Sequence, residues 1–254
     1  MRFLILGLPK TGKTMLVNTL NRLPDFKVLG EIMNTRGPNP NMPDHPQKVI
    51  QDMRGIDTAY NIHTWFHHNI CDFYIHDITK YLTDEDIDRF METIYIRDKH
   101  CAFKLHHHHI EMLPYLLEWF SGRYDIKIIH CIRKNKIKQA LAAIGNRARG
   151  AMFEADPQST LNLMRDNAKR LAELRLWFSD RENYKEFYYE DMTGDTDSSI
   201  LNLIPFREFL EVNMPDSIDI LTRKNTRNKV SENLLNYDEF YEFFKDTEYK
   251  DMID

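Results

Sequence analysis

Eight consecutive residues carry the clearest chemistry. Gly7-Leu8-Pro9-Lys10-Thr11-Gly12-Lys13-Thr14 fits the pattern G-x-x-x-x-G-K-[ST] in full. Glycines at both ends let backbone N–H groups wrap an anion, and the start of a following helix adds partial positive charge. Lys10 and Lys13 add full charges. The pattern implies phosphate binding and leaves the reaction open. A nucleotide kinase also wants an acidic residue at a strand end to hold Mg²⁺. The apolar run Ile126–Ile132 stops instead at Arg133, and Glu190-Asp191 is the nearest acidic alternative.

Other reactive side chains fall near expected strand ends. Glu31 follows Phe26–Leu29, and Lys104-Leu105-His106 closes another apolar run. In a strand, residues i and i+2 face the same side, so Lys104 and His106 can share a cleft. Glu31 and His106 are both candidates for a general base; an unperturbed imidazole titrates near neutral pH, whereas a carboxylate needs help. Nine of the eleven histidines lie between His63 and His109. His63 and His67 are four apart, the spacing of metal ligands on one helical face, but no acidic residue completes a known pattern and no metal is expected.

These residues need a scaffold. Apolar runs predict strands at 3–8, 26–29, 101–106, 126–132 and 187–189. Helical spacing predicts helices at 14–23, 110–120, 136–143, 158–180, 199–211 and 232–246. In the long helix the expected buried face is Leu161, Met164, Ala168, Leu171, Leu174 and Phe178. Strands alternating with helices predict an α/β fold with a central parallel sheet flanked by helices. Residues 34–48 are proline-rich and read as an irregular loop or lid, and 49–99 read as mostly helical and polar. No linker divides the chain, so residues 1–254 are expected to form one domain with a variable substrate region at about 34–99.

Composition narrows the class. The chain has 254 residues and a formal charge of −5, with 42% hydrophobic and 12% aromatic residues. That supports one sizeable core and argues against disorder. The mild acidity argues against nucleic-acid binding. Three widely spaced cysteines (Cys71, Cys101, Cys131) suit a reducing compartment. With no apolar run long enough for a membrane span, a cytoplasmic protein is expected.

Several motifs, in order, resemble the sulfotransferases that use 3′-phosphoadenosine 5′-phosphosulfate (PAPS), in their bacterial and carbohydrate-type branch. The 5′-phosphosulfate loop corresponds to Pro9-Lys10-Thr11-Gly12-Lys13-Thr14. A Leu-rich helix, Pro24-Asp25 and Gly30-Glu31 follow, then Phe103-Lys104. The 3′-phosphate motif corresponds to Arg133 and the helix with Gln139-Ala140. Tyr189-Glu190-Asp191 and Asn236-Tyr237-Asp238-Glu239 complete the set, over about residues 3–250.

The resemblance implies a P-loop three-layer sandwich and sulfuryl transfer from PAPS to a hydroxyl or amine, with a carbohydrate or glycolipid acceptor favoured. No metal is implied. Lys10, Glu31, His106 and Lys104 are then the catalytic candidates, Glu31 as in the carbohydrate branch and Lys-x-His as in the cytosolic branch. Pro9 to Thr14, Arg133 and Lys134 are the donor-binding candidates. Two positions depart from the pattern. Ala142 stands where the family has a phosphate-binding Ser, and no Ser or Thr occurs from 122 to 158. Arg133 remains, and Lys134, Lys138, Asn146, Arg223, Lys224 or Arg227 can compensate. Lys13 replaces a small or hydroxyl residue and completes the ATP-type pattern, which keeps an ATP-dependent kinase as the alternative; Ala142 keeps a degenerate nucleotide-binding module as another.

Overall fold

The computed structural model describes residues 1–35, 61–70, 77–95, 100–148, 151–193, 200–220 and 229–253. Five parallel strands form the central sheet: β1 (Arg2–Leu6), β2 (Phe26–Leu29), β3 (His100–Leu105), β4 (Ile126–Ile132) and β5 (Tyr184–Tyr188), in the order β2-β3-β1-β4-β5. Leu6 pairs in register with Leu105 on one side and His130 on the other. The loops after β1, β3 and β4 therefore leave the sheet at one height, the edge where α/β folds place ligands.

The central strands read as mostly apolar runs because both faces are covered. On one face, Leu4, Leu6, Phe103, Leu105, Ile128 and Ile132 pack under α3 (Asp84–Tyr95), α5 (Tyr115–Ser121) and the end of α7 (Pro157–Phe178). On the other, Phe3, Ile5, Ala102, Ile129 and Cys131 pack under α1 (Lys13–Leu20) and α9 (Ile204–Leu210). This is the expected three-layer α/β sandwich. A third apolar cluster joins α6 (Lys136–Ile144) and the first half of α7 to α10 (Tyr237–Phe244). Caps fix both helix starts. Asn135 accepts from Lys138 N at 2.8 Å, and Asp156 accepts from Ser159 N at 2.7 Å ahead of Pro157. The remaining short elements are α2 (Ile62–Asn69), α4 (His107–Met112), α8 (Tyr189–Thr193) and the antiparallel pair β6 (Ile200–Asn202) with β7 (Ser217–Asp219).

Three expected helices differ. The helix expected at 110–120 is two, α4 and α5. Pro114 interrupts them, with Leu113 before it held out of the helical region at φ −129°, ψ 75°. The stretch 199–211 begins as strand β6, and α9 starts only at Ile204, where Pro205 suits its first turn. The stretch 232–246 is helical only from Tyr237, because the chain before it pairs with residues 153–155. Leu235 N donates to Phe153 O at 2.9 Å, and the Asn236 amide bonds Ala155 N and O, each at 3.1 Å. In α7 the expected face holds at Met164, Leu171, Leu174 and Phe178, with Leu161 half-buried; Ala168 is exposed and Asn167 is buried instead. Of the proline-rich loop expected at 34–48, residues 36–48 lie outside the described residues, as does Cys71. Cys101 and Cys131 are buried in the core. Among the described residues, no helix is long and apolar enough to cross a membrane.

Candidate active site

β1 ends at Leu6, and the chain turns sharply through Gly7, at φ +148°. A Cβ there would lie 2.5 Å from Cys131 O on β4, so only glycine lets the loop pass this close to the sheet. At the crest Lys10 adopts φ +63°, uncommon for a side-chain-bearing residue. Gly12, at φ +86°, begins α1 with no side chain capping the helix and no acid in its first turn. The first N–H groups of α1 lack intrahelical acceptors, which leaves a site suited to an anion.

The two loop lysines differ. Lys13 is 3% exposed and turns back into the loop. Its ammonium donates to Gly7 O at 2.7 Å and also to Leu8 O. Burial pulls its pKa down to about 7. Lys10 projects from the crest to Asn146 Oδ1; burial and neighbouring Lys104 lower its pKa, while Glu31 opposes them.

Glu31, Lys104 and His106 form one hydrogen-bonded set. The chain stays extended through His106 (φ −109°, ψ 156°), so Lys104 and His106 face the same side as expected. Lys104 N donates to Gly30 O at 3.1 Å, bringing the turn after β2 against β3. Glu31 Oε1 then lies 2.8 Å from Lys104 Nζ and 2.9 Å from His106 Nε2. Lys104 Nζ also reaches Thr14 Oγ1 on α1, at 3.1 Å. The hydrogen bond from His106, with help from Lys104, holds Glu31 well below the usual carboxylate range against the opposing effect of burial. Burial pulls His106 down to about 4, against the pull of Glu31. At neutral pH the pair is therefore carboxylate and neutral imidazole, with Nε2–H donating to Glu31.

The far side of the loop is walled by β4, α6 and α8. Arg133, after β4, stacks over the Tyr189 ring at 5.1 Å, and its Nε is buried with no hydrogen-bond partner. Tyr189 in turn packs on Gly12, where a Cβ would lie 2.5 Å from its ring. Gln139 Nε2 donates to Pro9 O at 3.1 Å, so α6 supports the crest. Ala142, only 5% exposed, lies on α6 between Gln139 and the turn carrying Asn146. Lys134 is turned to Asp191. Glu190 accepts from Lys134 N at 2.9 Å and Asn135 N at 3.1 Å, one bond to each carboxylate oxygen.

The structure thus brings together Pro9 to Thr14, Glu31, Lys104, His106 and Arg133. It commits Lys134 to a surface ion pair. Arg223, Lys224 and Arg227 fall at 221–228, outside the described residues. His63 and His67 meet ring to ring at 4.6 Å, and among the described residues no group of three or more His, Cys, Asp or Glu could hold a metal ion. Sequence reading assigned no role to the bonds of Gln139 to Pro9, Asn146 to Lys10 or Thr14 to Lys104. Each spans 90 or more positions, so no local pattern signals them.

Residues 3–216 match the profile of the sulfotransferase family. The chain belongs to that family. Similar solved structures include the sulfotransferase domain of the Synechococcus PCC 7002 olefin synthase, at 17% identity over 84% of this chain and 74% of that one, with TM-score 0.46. A sulfotransferase from Alicyclobacillus acidocaldarius is 16% identical over 96% of this chain and 90% of its own, with TM-score 0.47. The sulfotransferase STF9 from Mycobacterium avium is 15% identical over 100% of this chain and 76% of its own, with TM-score 0.44. A comparison with curated proteins finds no match. For a sulfotransferase the arrangement has a direct chemical meaning: an anion loop with an ionised carboxylate beside it.

Proposed function

We propose that this sulfotransferase transfers a sulfuryl group from PAPS to a hydroxyl or amine acceptor, of carbohydrate or glycolipid type. The observation that carries the reading is the Glu31–Lys104–His106 set bonded through Thr14 to the start of α1. A carboxylate next to the N-terminus of α1 supports a proton acceptor beside an anion site.

The residues present fit an anionic nucleotide. Lys10 and the first N–H groups of α1 are the donors for the 5′-phosphosulfate. Arg133, whose buried Nε has no hydrogen-bond partner and lies 4.0 Å from Glu190 Oε1, is the donor for the 3′-phosphate. The acceptor oxygen forms a new S–O bond as the bond from sulfur to the bridging phosphate oxygen breaks, and the acceptor proton passes to Glu31. Glu31 suits this role better than His106. Its side chain is 42% exposed against 9% for His106, whose Nε2 is already committed and whose Nδ1 is buried. A carboxylate with a depressed pKa stays ionised and accepts a hydrogen bond from the acceptor throughout. It takes the proton late, once the forming bond acidifies the hydroxyl.

The kinase reading is weakened by Glu190 and Asp191. One is spent on backbone N–H groups and the other on Lys134. The degenerate-module reading is weakened by Glu31. Residues 34–99 are proposed to supply acceptor specificity, and the reducing cytoplasm is proposed as the working compartment. Titration calorimetry tests the reading. Saturable binding of adenosine 3′,5′-bisphosphate, and none of ATP with Mg²⁺, is expected; the reverse result overturns it.

A further inference from the structure

The four consecutive histidines at the head of α4 divide by direction. His107 points away from the anion loop. It is 1% exposed, its Nε2 lies 2.6 Å from Glu173 Oε2, and its ring stacks on Trp177 of α7 at 5.3 Å. The other three form a cluster beside Glu31. His108 stacks on His106 at 5.3 Å and 19°, His109 meets His106 edge-on at 5.5 Å, and His108 meets His109 at 4.2 Å. His109 is 1% exposed.

His106 stands where strand becomes helix, so its backbone sets where its ring points. Its own N–H donates to the His109 ring, at Nδ1, 3.2 Å away. Its Nε2 bonds Glu31, and its Nδ1 is buried without a partner. Two hydrogen bonds and one stacked ring therefore fix the donor that holds the carboxylate. We propose that His109 is a positioning residue for proton transfer: by accepting the His106 N–H, it aims the His106 imidazole at Glu31.

The charged and titratable groups around this cluster are Glu31 after β2, Lys104 on β3, Lys13 on α1, and His108 and Glu111 on α4, with Arg170 of α7 further out. Burial disfavours a charged His106 or His109 first, helped by Lys13 and Lys104 at His106 and by the neighbouring imidazoles and Lys13 at His109. Only the neutral ring of His109 offers a lone pair at Nδ1, so the contact itself requires the uncharged form.

The inference rests on Glu31 as the proton acceptor. Its test compares His109→Asn with His109→Leu. The Asn side-chain oxygen occupies the position of the imidazole Nδ1 and keeps the acceptor, whereas Leu keeps bulk and loses it. Activity is read as release of adenosine 3′,5′-bisphosphate from PAPS with a hydroxyl acceptor that the wild type turns over. Calorimetry with the bisphosphate provides the second reading. His109→Leu is expected to lower kcat about ten- to hundredfold, the scale of a misplaced catalytic group, with bisphosphate affinity unchanged. His109→Asn is expected to recover most of that loss. A tolerated Leu with a damaging Asn marks simple packing and overturns the proposal, as does a loss confined to bisphosphate affinity. If the Leu variant does not fold, histidine NMR of the wild type decides. The proposal requires His106 to be neutral and protonated at Nε2 at pH 7; a cationic His106 or the Nδ1–H tautomer overturns it. Failure of the wild type to bind the bisphosphate instead removes the donor assignment and leaves the NMR result standing.

Discussion

Replacing Glu31 by Gln tests the centre of the proposed chemistry. Gln keeps the shape and one carbonyl oxygen but removes the charge and the capacity to take a proton. The carboxylate accepts from Lys104 at 2.8 Å and from His106 at 2.9 Å. A shielded hydrogen bond to a charged group contributes about 1.5–3 kcal/mol. With Glu31 42% exposed, solvent screening brings each bond to about 1 kcal/mol or less. The expected loss of stability is therefore ~1–2 kcal/mol, a fall of about 2–8 °C in Tm for a chain of this size. The rate effect is far larger. Under saturating PAPS, kcat should fall ~10²–10⁴-fold, the usual contribution of a general base. Affinity for adenosine 3′,5′-bisphosphate should hold or improve, because Lys104 is released from a competing anion. The pH dependence has a definite sign. Glu31 is depressed in the folded chain, so its stabilisation is complete above the unfolded carboxylate pKa of about 4.3 and is lost as pH falls toward the folded value. The Tm gap between wild type and variant should be flat above about pH 5 and close below it. His106→Gln, which keeps an N–H donor for Glu31, should cost much less. Full turnover by Glu31→Gln with normal bisphosphate binding refutes the assignment, and a larger loss in His106→Gln moves the base to His106.

Three further outcomes follow from the loop and its wall. Arg133→Ala should weaken adenosine 3′,5′-bisphosphate binding ~10–100-fold by calorimetry, as loss of charge-assisted hydrogen bonds implies, while 5′-AMP binding changes little; an equal loss for both nucleotides removes Arg133 from the 3′-phosphate. Gly12→Ala should destabilise the fold by more than ~1 kcal/mol and abolish bisphosphate binding, because the new Cβ meets the Tyr189 ring at 2.5 Å in a left-handed backbone; normal urea midpoints and affinity exclude that. Burial draws Lys13 down to about 7, so the folded chain holds fewer protons than the unfolded chain between about pH 7 and 10, and stability should rise there by about 1 kcal/mol per pH unit from this group. Lys13→Met should lose that slope in urea unfolding at pH 7, 8 and 9; parallel profiles count against a buried, titrating ammonium.

Much of this protein is legible in local pattern. Gly7 to Thr14 announces an anion loop because glycine positions and a following helix are consecutive in sequence. The core strands show as apolar runs because both faces are covered, and Lys104-x-His106 shares a side because strand periodicity is two. Where the expectation slipped, neighbours decided: Pro114 divided a helix, and pairing with residues 153–155 held the chain before Tyr237 in turns rather than a helix. Glu31 and His106 were rivals for one role when only spacing was known. Tertiary structure made them partners, because β2 and β3 are adjacent in the sheet although Glu31 and His106 lie 75 positions apart. It also spent Lys13 on loop carbonyls, turned Lys134 to Asp191, and set His109 behind His106. Sequence alone determined the kinds of groups available, since backbone propensity and strand alternation act over a few residues. Which lysine is spent and which carboxylate stays open depended on burial and on hydrogen bonds between distant segments, and those exist only once the sheet is assembled.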